Sequence, residues 1–324
     1  MKLHGIHHIT AITADAQANV DFYARLLGLR MVKKTVNFDL PDVYHLYFAD
    51  EEGNPGSILT FFEFPGARTG RPGAGTIDRI IWRVPTAAGL DFWGERLQGA
   101  GVGVEAGPDS IRFADSEGLG LEIVVQEPPG SLTAWAADIP REHALAGFAG
   151  VRALGLKPAT EPVLSNILGF SKAGDDSSGD GTTGPSFRLE GSGWDASYSY
   201  GQAPEDPAVE GAGSVHHIAW AARPEDHQAW QKHVTAEGLR PTPIIDRTYF
   251  RSIYFREPSG VLFEIATIGP GFTLDEPLEQ LGETLMLPPR YEPLRSELES
   301  SLVPLDNPRA PRQEPGRPEE VVGG

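Results

Sequence analysis

Four stretches of this chain repeat one pattern, and the repeat sets the unit from which any fold must be assembled. "YFADEEGNPGS" (47–57), "FADSEGLG" (113–120), "FRLEGSGWD" (187–195) and "YFREPSGVL" (254–262) each place aromatic residues and a charge before a Gly-containing turn, then resume a strand-like run. Two strand-like segments joined by a tight polar turn read as a β-hairpin. Their spacing gives a unit of about seventy residues.

Each unit also opens alike, with a short apolar strand, a helical pattern and a glycine stop. "HHITAIT" precedes "DAQANVDFYARLLG", where Val20, Tyr23, Leu26 and Leu27 recur at helical spacing and Gly28 is a natural C-terminal stop. "IDRIIWRV" precedes "TAAGLDFWGERLQG" with Thr86 as N-cap, and "HHIAWAA" precedes "RPEDHQAWQKHVTAEG". The third unit, "FAGVRAL" then "TEPVLSNILG", is the least clear. Three more strand-like segments follow each helix, so the unit is strand, helix, strand, strand, strand.

Four such βαβββ modules predict an α+β fold of two packed half-barrel domains. In chain order, 3–140 holds the first module pair and 141–290 the second. "LEQLGETLMLPP" reads as one short helix, "AGDDSSGDGTTGP" (173–185) as an exposed loop with acidic spacing too irregular for calcium, and 305–324 as a disordered tail rich in Pro, Gly and charge.

A net charge of −18 repels phosphate backbones and anionic lipid, so nucleic acid and membrane are not expected as partners. The absence of cysteine removes disulfides, thiolate nucleophiles and Cys-type zinc sites together, and fits a reducing cytoplasm. The N-terminus has no apolar signal core. A soluble cytoplasmic protein is expected, as a homo-oligomer.

Four of nine histidines fall in two adjacent pairs, "GIHHIT" and "GSVHHIAW". In the module alignment His7 and His8 match His216 and His217. Module two has Asp78 and Arg79 there, and module three only apolar or small residues near Phe148. On the last strands, module four offers Glu264, module two Glu122 and module one Thr60, with Glu63 off register.

A strand alternates faces, so one histidine of each pair points fully into the cleft. Parity sets His8 with Ile6 and Thr10, His217 with Val215 and Ala219, and Glu264 opposite Phe263 and Ile265. Two imidazoles and a carboxylate on concave faces leave open coordination positions and suit non-haem Fe(II). Glu122, with no histidine in its own module, reads as structural or as an exposed-edge charge. His45 reads as a core residue or a support for the site. His4, His143, His227 and His233 read as surface or helix residues.

The set "GIHHIT", "NVDFYARLLGLRMVKKTVNFD", "YHLYFADEEGNPGSILTFFEFP", "VHHIAW" and "SIYFREPSGVLFEIAT" resembles the vicinal oxygen chelate (glyoxalase/bleomycin-resistance/extradiol dioxygenase) superfamily. Within it, the sequence is most similar to ring-cleaving dioxygenases of hydroquinones and chlorinated hydroquinones, from about residue 3 to 290. The resemblance implies Fe(II) as cofactor, with Mn(II) as an alternative, held by His8, His217 and Glu264. It implies a small aromatic substrate and O2 as partners, and functional positions at His7, His216, Arg247 and Tyr254. In it, Arg247 steadies a developing phenolate, Tyr254 and His7 donate hydrogen bonds, and His216 orients the site. It also implies that modules one and four pair as the iron domain, while two and three pair as a support. Two other readings stand beside it. One is glyoxalase-type isomerase or thiol-transferase chemistry, whose sites usually take a second carboxylate where module one has Thr60. The other is a metal-free binder of aromatic compounds.

Overall fold

The structure is a computed structural model that describes residues 1–128, 130, 132, 138–177, 183–191 and 195–309. Module one comprises β1 (Leu3–Thr13), α1 (Ala16–Val20), β2 (Arg30–Val36), β3 (Tyr44–Ala49) and β4 (Ile58–Glu63). Module two comprises β5 (Ile77–Val84), α2 (Ala87–Gly99), β6 (Glu105–Ala106), β7 (Ser110–Ala114) and β8 (Gly120–Val125). Module three, the least legible in sequence, is complete: β9 (Phe148–Leu154), α3 (Thr160–Pro162), β10 (Ser171–Ser177), β11 (Thr183–Leu189) and β12 (Ala196–Gly201). Module four comprises β13 (Val215–Ala222), α4 (His227–Ala236), β14 (Ile245–Asp246), β15 (Arg251–Arg256) and β16 (Leu262–Thr267).

In every module the first strand pairs parallel with the last, β1 with β4, β5 with β8, β9 with β12 and β13 with β16. A parallel pair needs a long crossover, and the helix supplies it. The helices of modules one and three begin as α and continue as a wider turn, Asp21–Leu26 and Val163–Ile167. Gly28 ends the first at φ 71°, and the Leu29 N–H returns to the Tyr23 carbonyl at 3.0 Å. The Thr86 hydroxyl accepts from the Gly89 N–H, capping α2 as its position suggests.

The strands assemble into two eight-stranded sheets. One runs β14-β15-β16-β13-β1-β4-β3-β2 and the other β10-β11-β12-β9-β5-β8-β7-β6. Modules one and four thus share a sheet, joined by antiparallel β1 and β13, while two and three share the other through β5 and β9. The first sheet closes on itself far enough that Asp39, between β2 and β3, meets Arg247, in the β14–β15 turn, at 3.2 Å. Outer faces and helices enclose the main core, where Trp220 packs against Phe170, Tyr198 and Phe263.

In three of the four repeated phrases the charge has a clear role. Asp50 accepts from the Asn54 N–H, Asp115 from the Glu117 and Leu119 N–H groups, and Glu257 from the Ser259 and Val261 N–H groups. Each carboxylate ties its own turn. Two also reach the helix of the preceding module: Asp115 takes the Tyr23 hydroxyl at 2.9 Å and Glu257 the Thr160 hydroxyl at 2.7 Å.

One end of the concave face is filled by the segment after β16. Its Phe272 and Leu281 pack with Val32, Tyr47 and Tyr249, and buried Lys33 binds Asp275 at 2.7 Å and the Glu276 carboxylate. Three expectations need correction or limits. Only Leu278–Gln280 of the helix expected there forms a helical turn, because Leu281 already swings out to ψ 128° and Gly282 follows at φ 78°. Within 173–185, the described residues belong to the β10–β11 hairpin instead of a loop, the ladder pairing Asp175 with Pro185. Of 305–324, residues 310–324 lie outside the described residues, whereas Asp306 and Arg309 bond to Gln17 and the Glu279 carbonyl. Among the described residues no helix is long and apolar enough to cross a membrane.

Removing the Glu257 carboxylate leaves two backbone N–H groups and a threonine hydroxyl buried without their acceptor. Glu257→Ala is therefore expected to cost about 3 kcal/mol, read as a lower urea midpoint. An unchanged midpoint would show that water or neighbours satisfy the turn instead.

Candidate metal centre and cavity

A continuous β-ladder lets only alternate residues face the cleft, yet both histidine pairs sit where the ladder is broken. Across β1 and β13, Ile6 opposes Trp220 and His8 opposes Ala219, so His7 is an extra residue in β1. Thr10 opposes His217 and Ala11 opposes Val215, so His216 is an extra residue in β13. Such bulges re-aim side chains locally. Here they bring the two rings of each pair together. His7 Nδ1 lies 2.9 Å from His8 Nδ1, and His216 Nδ1 lies 2.7 Å from His217 Nδ1.

The other nitrogens of His8 and His217 converge with Glu264. His8 Nε2 is 3.3 Å from His217 Nε2 and 3.2 Å from Glu264 Oε2, and His217 Nε2 is 3.0 Å from the same oxygen. All three residues are buried. Neither Glu264 oxygen accepts a hydrogen bond of good geometry, an expensive state for a fully buried carboxylate unless a cation satisfies it. A triangle with these edges is one face of an octahedron with bonds of about 2.1–2.3 Å, near the range of first-row metal bonds to imidazole and carboxylate.

Protonation states agree with a metal site. Burial pushes the His217 pKa down to about 4 and the His7 pKa down to about 3, leaving lone pairs available at neutral pH. Burial works to raise the Glu264 pKa, but His8 and His217 outweigh it and hold the carboxyl well below its usual range. The donors fit a divalent metal.

Above them lies a cavity of about 290 Å³. Its apolar walls come from Phe38, Phe62, Phe250 and Leu262. Arg247 and Tyr254, both singled out by sequence, line it together. Arg247 Nε donates to the Tyr254 hydroxyl at 3.2 Å and Nη1 to Asp39 at 3.2 Å. Thr248 holds a left-handed φ of 68° beside Arg247, a strained conformation for a β-branched residue that turns the chain sharply into β15. His216 also lines the cavity and keeps a side chain 34% exposed, whereas His7 lies behind His8 against the Phe250 ring. His45 reaches the cavity too, hydrogen-bonded to Tyr47 and Thr60.

The pseudo-twofold relating β1 to β13 equates His8 with His217 and Thr10 with Ala219. It therefore equates Thr60 with Glu264 and Tyr47 with Tyr254. Tyr47 went unnoticed in sequence, although laying "HLYFAD" over "SIYFRE" exposes the match. Glu122 is structural, paired with Arg79 at 3.1 Å. His4 and His227, expected on the surface or a helix, are both buried: His4 belongs to β1, and His227 opens α4 and bonds the Ile265 carbonyl at 2.9 Å.

Three donors that could hold a metal converge from two modules on one concave sheet, beneath an aromatic-walled cavity, in a protein built from paired βαβββ modules. The chain belongs to the Glyoxalase/Bleomycin resistance protein/Dioxygenase superfamily, whose model matches residues 5–134 and 116–265. It is 43% identical to MhqO of Bacillus subtilis, provisionally named a ring-cleaving dioxygenase, over 94% of this chain and 97% of that protein. It is 35% identical to the chlorohydroquinone/hydroquinone 1,2-dioxygenase of Sphingobium indicum, over 92% and 95%. The crystal structure of a Bacillus subtilis protein provisionally described as a dioxygenase superposes with a TM-score of 0.88 at 42% identity, covering 94% and 98%. Glyoxalase I of Zea mays shares the fold, with a TM-score of 0.57 at 10% identity, covering 81% and 92%.

His8→Ala, His217→Ala and Glu264→Ala should each lose most bound metal in equilibrium dialysis, while Glu122→Gln retains it. His7→Ala and His216→Ala should weaken binding by about 10–100-fold, the usual cost of losing a ligand's orienting partner. Equal metal loss from Glu122→Gln would contradict this set.

His227 offers a pH test away from the donors. Burial lowers its pKa below the ordinary 6.5, so the unfolded chain takes up the proton first, and its stabilising effect is lost as pH falls below about 6.5. His227→Gln should be the less stable protein at pH 7.5, and the gap should narrow by pH 5 in urea titrations. A constant gap would mean that native His227 is protonated like the free side chain.

Proposed function

We propose that the protein is an iron(II)-dependent dioxygenase that opens hydroquinone-type rings, with His8, His217 and Glu264 as the metal ligands. The observation that carries this reading is the convergence of those donors beneath an aromatic-walled cavity with a cationic and a phenolic donor. The names of relatives at 35% and 43% identity support it. Iron(II), or manganese(II), held by these residues would bind O2 and a ring oxygen together and exchange electrons between them.

The chain's own residues do the rest. Phe62 and Phe250 flank the space for a flat ring. An apolar cavity of about 150 Å³ suffices for benzene, so this one has room for a single substituted ring and a diatomic gas. Burial, with Glu264 nearby, pushes the Tyr254 pKa above its ordinary value and keeps the phenol protonated. Because its oxygen accepts from Arg247, the Tyr254 O–H is left to donate into the cavity. Arg247 brings positive charge to where a ring oxygen becomes anionic. His7 and His216, each paired with a ligand ring through Nδ1, fix its tautomer so that Nε2 faces the metal. The glyoxalase-type alternative lacks its second carboxylate: Thr60 stands there, bonded to His45 and Thr10.

Protein loaded with Fe(II) under argon, then given hydroquinone and air, should consume one O2 per ring opened, with both atoms retained in the product. Arg247→Ala should lower kcat/KM by about 100-fold with iron content unchanged. An oxygen electrode and product mass spectrometry decide; no uptake with any hydroquinone or catechol would end this reading.

A further inference from the structure

One wall of the cavity carries a polar chain that metal binding does not use. Thr10 Oγ1 and Thr60 Oγ1 are 3.0 Å apart, Thr60 Oγ1 and His45 Nε2 are 2.9 Å apart, and His45 Nδ1 and the Tyr47 hydroxyl are 3.0 Å apart. All four residues are buried. The three contacts are of good hydrogen-bonding length, and each group can both donate and accept. The chain crosses three adjacent strands, from β1 through β4 to β3. Its Thr10 end opposes His217 across the β1–β13 ladder and lines the cavity, as do His45 and Tyr47.

We propose that Tyr47, His45, Thr60 and Thr10 form a neutral proton relay that carries a ring-hydroxyl proton along the wall to the cavity floor beside His8 and His217. This rests on the dioxygenase reading above. The step balances with one co-reactant, the oxygen derived from O2 that takes the last proton at the floor. Tyr47 accepts the ring O–H proton as its own passes to His45 Nδ1. The Nε2 proton of His45 passes to Thr60, that of Thr60 to Thr10, and that of Thr10 to an oxygen at the floor. Every O–H or N–H bond broken is replaced by one formed, no electron moves within the chain, and each member ends neutral with its hydrogen bonds reversed.

Two features suit a relay better than a fixed base. Burial keeps His45 from holding a second proton and keeps Tyr47 from losing its own, so the resting chain carries no charge. The pseudo-twofold also sets Thr60 where module four has Glu264, so a carboxylate that would trap the proton is replaced by a hydroxyl that passes it on. A neutral hydrogen-bonded chain polarises cooperatively in such a low-dielectric wall.

Thr60→Val removes the hydroxyl at nearly constant volume, and Thr60→Ser restores it. With Fe(II) loaded under argon and hydroquinone as substrate, Thr60→Val should keep its iron and hold KM within about threefold. Its kcat should fall by about 100-fold, and Thr60→Ser should recover most of it. The proton inventory in H2O/D2O mixtures should be curved in the unsubstituted protein and linear in Thr60→Val. Undiminished kcat in Thr60→Val, beside an active unsubstituted protein, overturns the relay and leaves the dioxygenase reading intact. Ring 15N NMR of the Zn(II)-loaded protein judges the relay even if no ring is opened. His45 should carry one proton at pH 7, and its tautomer ratio should change in Thr60→Val. A doubly protonated His45, or a ratio indifferent to Thr60→Val, overturns it.

Discussion

The antiparallel pairing of β1 with β13 is the contact on which the rest of this molecule depends. It joins modules some two hundred residues apart and places one histidine pair on each side of a local pseudo-twofold. A ladder in perfect register would turn one ring of each pair away from the cleft. The extra residues His7 and His216 break that alternation, so each ring that faces Glu264 has a second ring on its far nitrogen. The adjacent pairs are thus a donor and its orienting partner, made twice.

Electrostatics then makes the site cation-seeking. Glu264 is fully buried and its oxygens meet two imidazoles, of which burial holds that of His217 well below the usual histidine range. Net negative charge in such surroundings is costly, and a divalent ion relieves it. The same burial raises the phenols of Tyr47 and Tyr254, so the cavity presents protonated donors above an anionic floor. An electron-rich ring that must lose protons while oxygen gains them meets both kinds of group there.

The two sheets divide the work. The sheet of modules two and three repeats the pairing of first strands but carries Asp78 and Arg79 where the other carries histidine, and these are spent on ion pairs with Arg152 and Glu122. Turn carboxylates bind it to its partner: Asp115 and Glu257 each tie a turn and grip the helix of the preceding module. These acids hold module one to two and three to four, and the ladders hold one to four and two to three.

Much of this was legible in the sequence. The repeated phrase gave four modules because a strand-turn-strand unit leaves the same spacing of aromatic, acid and glycine each time it recurs. Alternation along "VLFEIAT" aimed Glu264 inward, and the matched pairs singled out His8 and His217, because side-chain direction in a strand is a property of parity. Parity failed across the bulges, where Ile6 and Val215 join the main core and His216 lines the cavity beside His217, since a bulge is set by how two strands meet. Segment composition likewise misread the described residues of 173–185 as a loop, because pairing of β10 with β11 outweighs weak local propensity. Tyr47, His45, Thr60 and Thr10 became a chain only when β1, β4 and β3 lay side by side. The sequence determined the modules and the residue types that seek a metal; the strand order decided which of them meet, because hydrogen-bonded neighbours in a sheet are chosen by the packing of the whole.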